Sequence, residues 1–125
     1  QSSSASIGIL QVLALNSLIE FNVAAFVVFG QNIGTCITST LASLSGDRNA
    51  KRLALFHMLY NVVGAILFTV ICIYTPLIKY IDIYSYNPAS AIANLHTLYN
   101  TVMVILVLPI DRYLIAFIYK VIPEK

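Results

Sequence analysis

Leu53–Tyr74 is a run of 22 residues without a formal charge. About 20 apolar residues suffice for a helix that crosses a bilayer. Ala89–Leu108 is a second uncharged run, of 20 residues, and each run is closed by a proline, Pro76 and Pro109. Of the 125 residues, 59% are hydrophobic and 10% are charged. A soluble domain of this size cannot bury so much apolar surface. The expected class is therefore an all-α protein of a cell membrane, crossing it several times, with the lipid bilayer as solvent. The net charge of +2, with its basic residues at segment ends, speaks against a nucleic-acid partner. Cys36 and Cys72 lie in apolar stretches and read as packing thiols. The carboxylates stand at loops and ends, so no paired buried acids exist for acid/base catalysis. The chain is expected to be neither an enzyme nor a cofactor protein.

A third apolar stretch, over 19–44, is interrupted at its centre by Gly30-Gln31-Asn32-Ile33-Gly34-Thr35. Two amides are costly in hydrocarbon. Irregular backbone at membrane depth survives only where protein covers it or water reaches it. This pattern predicts a discontinuous transmembrane helix, its first half ending near Gly30 and its second beginning near Thr35. A broken helix at mid-depth is a sequence pointer to a transporter binding site.

The remaining elements follow in order. Ser2-Ser3-Ser4 precede an apolar run too short to span, and serines in that place cap helices. Residues 1–15 are expected to be the second arm of a re-entrant hairpin. Asp47 is a predicted N-cap after the polar loop 45–52. Complete spans are predicted over 53–75 and 88–108, the second opened by Asn87-Pro88. Tyr80–Tyr86 reads as a loop. The tail over 111–122 mixes Arg112 and Lys120 with apolar residues and suits an interfacial helix. Arg48, Lys51 and Arg52 in one loop, with Arg112, Lys120 and Lys125 in the tail, place both segments in the cytoplasm. Gln1 begins without Met or a charged leader, which suggests a piece whose preceding half is missing.

Two helix starts, at Ser2–Ser4 and at Thr35, would converge at mid-depth with unpaired N–H groups, dipoles and hydroxyls. Ser2, Ser3, Ser4 and Thr35 are thus candidates for an anion such as phosphate. Carbonyls freed at the break, with amide and hydroxyl oxygens, form a hard-oxygen site suited to sodium. Its candidates are Gln1, Gly30, Gln31, Asn32 and Thr38. The chain also repeats H-x-L-Y-N, as His57–Asn61 and His96–Asn100. His57, Asn61, His96 and Asn100 read first as polar contacts between helices and second as a proton relay or ligand site.

Gln1-Ser2-Ser3-Ser4 and the G-x-N-I-G-T-type motif at Gly30–Thr35, about thirty residues apart, resemble the type II sodium/phosphate cotransporter family. The basic start and H-x-x-Y-N of Ala50–Asn61 resemble the segment after the family's second motif copy. Cys36 stands where many members carry Thr. The resemblance implies half of an inverted-repeat transporter, with sodium and inorganic phosphate as partners in sodium-driven phosphate transport. It also implies either a missing N-terminal repeat or a second copy of the chain to complete the site. The competing expectations are a regulatory or scaffold module that does not transport, and a symporter of another oxyanion.

Overall fold

A computed structural model describes residues 3–124. Within them lie six α-helices: α1 (Ser3–Leu15), α2 (Phe21–Leu44), α3 (Arg48–Tyr74), α4 (Leu77–Tyr84), α5 (Pro88–Val107) and α6 (Asp111–Val121). A single 3₁₀ turn, Leu108–Ile110, joins the last two. Three helical stretches are long and apolar enough to cross a membrane: Phe21–Leu44, Arg48–Tyr74 and Pro88–Val121. Leu18, Leu41, Leu44, Leu53, Ile66, Ile73 and Ile105 all lie more than half exposed. Water would penalise such a surface; the protein is a membrane protein.

The ends of the helices are set by local chemistry. Asp47 caps α3 by accepting from the Ala50 N–H at 2.8 Å. Asn87 and Ser90 cap α5 reciprocally, each side chain bonded to the other's backbone N–H. The turn after α1 carries Ser17 at φ 57, with Leu18 N–H donating to Leu13 O at 2.9 Å and Ser17 N–H to Ala14 O at 3.1 Å. This is the two-bond left-handed closure that usually employs glycine.

The sequence expectation of a break in the third stretch is corrected. α2 runs as one helix through Gly30–Thr35, and no glycine among the described residues takes positive φ. The hydroxyls of this stretch bond within the helix. Thr35 Oγ1 donates to Gln31 O at 2.9 Å, Thr38 Oγ1 to Thr35 O at 3.1 Å, Thr40 Oγ1 to Cys36 O at 2.7 Å and Ser43 Oγ to Thr40 O at 2.7 Å. Hydroxyls that bond back to their own helix need no other partner in hydrocarbon. Tyr80–Tyr84 is also helical, as the second half of α4, rather than a loop.

The core sits where α1, α2, α3 and α5 meet. Ala24, Ala25, Ala65 and Ala91 are buried at these contacts, and small residues let backbones approach closely. Phe29, Phe68 and Tyr99 fill the centre with ring centroids 4.8–5.8 Å apart. Gln11 Nε2 ties α1 to α5 by donating to Ala89 O at 3.0 Å. The polar loop after α2 and the C-terminal tail meet at one end of the bundle. There Arg52 donates through Nε and a terminal nitrogen to Ile122 O at 3.0 and 2.9 Å. Its guanidinium lies 3.9 Å from the Tyr119 ring centroid, and Arg48 reaches Pro123 O.

Candidate functional site

α1 and α2 form a helical hairpin joined by the short turn at Asn16–Glu20. At 1.5 Å per residue α1 runs back about 18 Å from the turn, which brings Ser3 level with about Ile33 of α2. Counted this way along two antiparallel axes, the serine tip stands at about the level of the Gln31-Asn32 pair. Ser3 is half-buried and Ser4 exposed; Gln1 and Ser2 lie outside the described residues.

The amides at this level behave differently from the hydroxyls around them. Asn32 is 6% exposed. Its Nδ2 and the Oε1 of Gln31 are buried without a hydrogen-bond partner among the described residues. A buried polar atom left unpaired costs about 1–3 kcal/mol, and in a membrane interior such a group is a candidate ligand. Asn32 belongs to a buried stripe with Phe29 and Cys36. Phe29 stacks on Tyr99 at 5.8 Å, and Cys36 Sγ donates to His57 O at 3.5 Å. The Asn32 amide lies beside the Tyr99 hydroxyl, outside the geometry of a hydrogen bond from Nδ2.

The other candidates do not all join this stripe. Gly30 and Thr38 are exposed on α2, and Thr35 is half-buried. Since the helix is continuous, the carbonyls expected to be freed near Gly30 stay in the helical ladder, and Thr35 starts no second half-helix. In the H-x-L-Y-N copies, each Asn bonds its own helix rather than the imidazole four residues before it. Asn61 Nδ2 donates to His57 O at 3.0 Å and Asn100 Nδ2 to His96 O at 2.9 Å. His57 Nδ1 lies 3.2 Å from Ser39 Oγ, beside a cavity of about 650 Å³ between α2 and α3.

Sequence reasoning weighed the His and Asn of the repeated motif and passed over its tyrosines. Tyr99 Oη donates to Asn61 O at 3.1 Å, and Tyr60 Oη to Asn100 O at 3.4 Å. The signal was present: a tyrosine in an apolar span needs a partner for its hydroxyl.

The sequence profile described as Na+/Pi-cotransporter matches residues 1–81. The chain belongs to the Na+/Pi-cotransporter family. The match covers the serine tip, Gly30–Thr35 and the first H-x-L-Y-N copy. Over 99% of its length the chain is 38% identical to "Uncharacterized protein YqeW" of Bacillus subtilis. Over the same share it is 24% identical to "Putative inorganic phosphate export protein YjbB" of Salmonella typhimurium. It spans 40% and 22% of those two proteins' own lengths. No solved structure matches the chain.

Proposed function

We propose that this chain is one repeat of a sodium-coupled transporter of inorganic phosphate in the cell membrane, and supplies part of its central site. The observation that carries the reading is a pair of buried side-chain atoms without a partner, the Gln31 Oε1 acceptor and the Asn32 Nδ2 donor. It falls in the motif that the sequence singles out, and helix length would bring the serine tip to about its level. Family membership and the name of the Salmonella relative support phosphate as cargo.

The chemistry divides between two partners. Ser2, Ser3 and Ser4, with the N-terminal N–H groups of α1 and Thr35, are the proposed phosphate side, where dipole and hydroxyls favour an anion. Gln31 and Asn32, with Gln1 and Thr38, are the proposed sodium side, since a hard cation takes neutral oxygens readily. A cation beside the anion offsets its charge where no Lys or Arg stands nearby. A second repeat, or a second copy of the chain, supplies the rest of the shell.

The test is phosphate uptake by the full-length protein in proteoliposomes, comparing wild type with Asn32→Ala and Ser3→Ala. Loss of one charge-assisted bond should weaken apparent phosphate affinity by about 1.5–3 kcal/mol, with membrane yield unchanged. Wild-type uptake by both variants would remove this level of the bundle from the transport site.

A further inference from the structure

We propose that Tyr99 is a positioning residue for the transport site: its hydroxyl, held on α3 by the Asn61 carbonyl, fixes the Asn32 side chain of α2. The inference rests on the reading of Asn32 as a site residue and adds to it the group that orients it.

Three observations converge on Tyr99. Its side chain is fully buried, and its ring stacks on Phe29 with an interplanar angle of 25°. Phe29 and Asn32 are three residues apart on the same buried face of α2, so a ring stacked on the first reaches toward the second. The stripe continues to Cys36, which touches α3 at His57 O, one turn before Asn61. The Asn61 carbonyl that takes the Tyr99 proton thus lies in the α3 segment facing Asn32. Finally, Gly64 leaves the space in which the hydroxyl lies: a Cβ built there would collide with Tyr99 Oη and approach Met103 Cε at 3.0 Å.

Tyr99 spends its one proton on Asn61 O, which leaves its oxygen lone pairs free to accept. An amide nitrogen is the group such lone pairs attract, and Nδ2 of Asn32 is buried without an acceptor. Drawing the nitrogen toward Tyr99 would turn the amide oxygen away from it, which is the orientation a cation requires. Tyr60 provides the internal control. It makes the matching bond between α5 and α3, to Asn100 O, but lies beside the cavity lined by Ser39 and His57.

The experiment measures sodium-driven phosphate uptake by the full-length protein in proteoliposomes, with sodium KM read at saturating phosphate. The variants are Tyr99→Phe, Tyr60→Phe, Asn32→Ala and the double variant Tyr99→Phe/Asn32→Ala. The expected result is a rise of about fivefold in sodium KM for Tyr99→Phe, of the size one hydrogen bond gives. Tyr60→Phe should stay within about twofold of wild type, and Tyr99→Phe should add nothing further on the Asn32→Ala background. Equal shifts for the two tyrosine variants, or additive effects in the double variant, would overturn the positioning role while leaving the site intact. Unaltered sodium KM in Asn32→Ala would overturn the reading of the site itself, and the inference with it. If Tyr99→Phe does not reach the membrane, Gly64→Ala takes its place, because it displaces the hydroxyl without removing it. The same KM rise is expected, and an unshifted KM overturns the inference.

Discussion

Tyr60 and Tyr99 exchange hydrogen bonds between α3 and α5. Each hydroxyl donates to the backbone carbonyl of the asparagine that follows the other tyrosine, at 3.4 Å to Asn100 and 3.1 Å to Asn61. Such reciprocity needs two antiparallel helices crossing at equivalent points of the repeated H-x-L-Y-N. In hydrocarbon each phenol must find an acceptor, and a carbonyl lone pair is available without breaking the helical ladder. The two exchanges differ in surroundings. Tyr99 lies sealed among Phe29, Phe68 and Gly64, whereas Tyr60 borders the cavity between α2 and α3.

The turn between α1 and α2 holds Ser17 at φ 57, a conformation in which a Cβ is crowded. Ser17→Gly should relieve that crowding and raise stability by about 0.5–1 kcal/mol, because the exposed Ser17 side chain has little packing to lose. Thermal unfolding of the full-length protein in detergent checks this. A lower midpoint would show that the serine itself supports the turn.

Arg52 should anchor α6 to α3. Its side chain is 7% exposed, whereas Glu124, 3.3 Å away, is 75% exposed, so the ion pair itself contributes little. The two bonds to Ile122 O and the contact with Tyr119 carry the anchor. Arg52→Lys keeps the charge but loses the planar fork, at a cost of about 1.5–3 kcal/mol. Hydrogen exchange across 111–124 should then quicken, with exchange in α5 unaltered. Unchanged exchange in the tail would contradict the anchor.

Much of this was legible from residue types. Asp47 and Asn87 were readable as caps because short polar side chains before apolar runs have few other roles. The long spans followed from length and apolarity alone. Gly30 and Gly34 misled, since glycine permits a break without requiring one. The neighbouring Thr35, Thr38 and Thr40 bond back into a helix that runs unbroken. That choice depends on side-chain rotamers, which sequence spacing does not reveal. The amides at Gln31 and Asn32 were identifiable as costly; their lack of partners required the packed neighbours. The Tyr60 and Tyr99 exchange and the Arg52 anchor are long-range contacts, set by which helices meet.

Orientation in the membrane is testable at two exposed sites. Ser45 lies at the end of the bundle that gathers Arg48 and Arg52, and Tyr86, 96% exposed, lies before α5 at the other. The positive-inside tendency places the first in the cytoplasm. A cysteine at Ser45 should react with a membrane-impermeant maleimide only after permeabilisation, and one at Tyr86 in intact cells. Cys36 and Cys72 are buried and should stay silent. The reverse labelling pattern would invert the orientation.

Phosphate binding to the full-length protein, followed across a sodium titration with potassium and choline as controls, tests the account most directly. If Gln31 and Asn32 hold sodium beside phosphate at the serine tip, each ion stabilises the other through charge, a coupling of about 1–3 kcal/mol. Sodium should then tighten phosphate binding by about 5- to 150-fold, phosphate should tighten sodium binding by the same factor, and Asn32→Ala should shrink both effects together. Phosphate binding that is indifferent to sodium in the wild-type protein would contradict the shared site and the cotransport reading built on it.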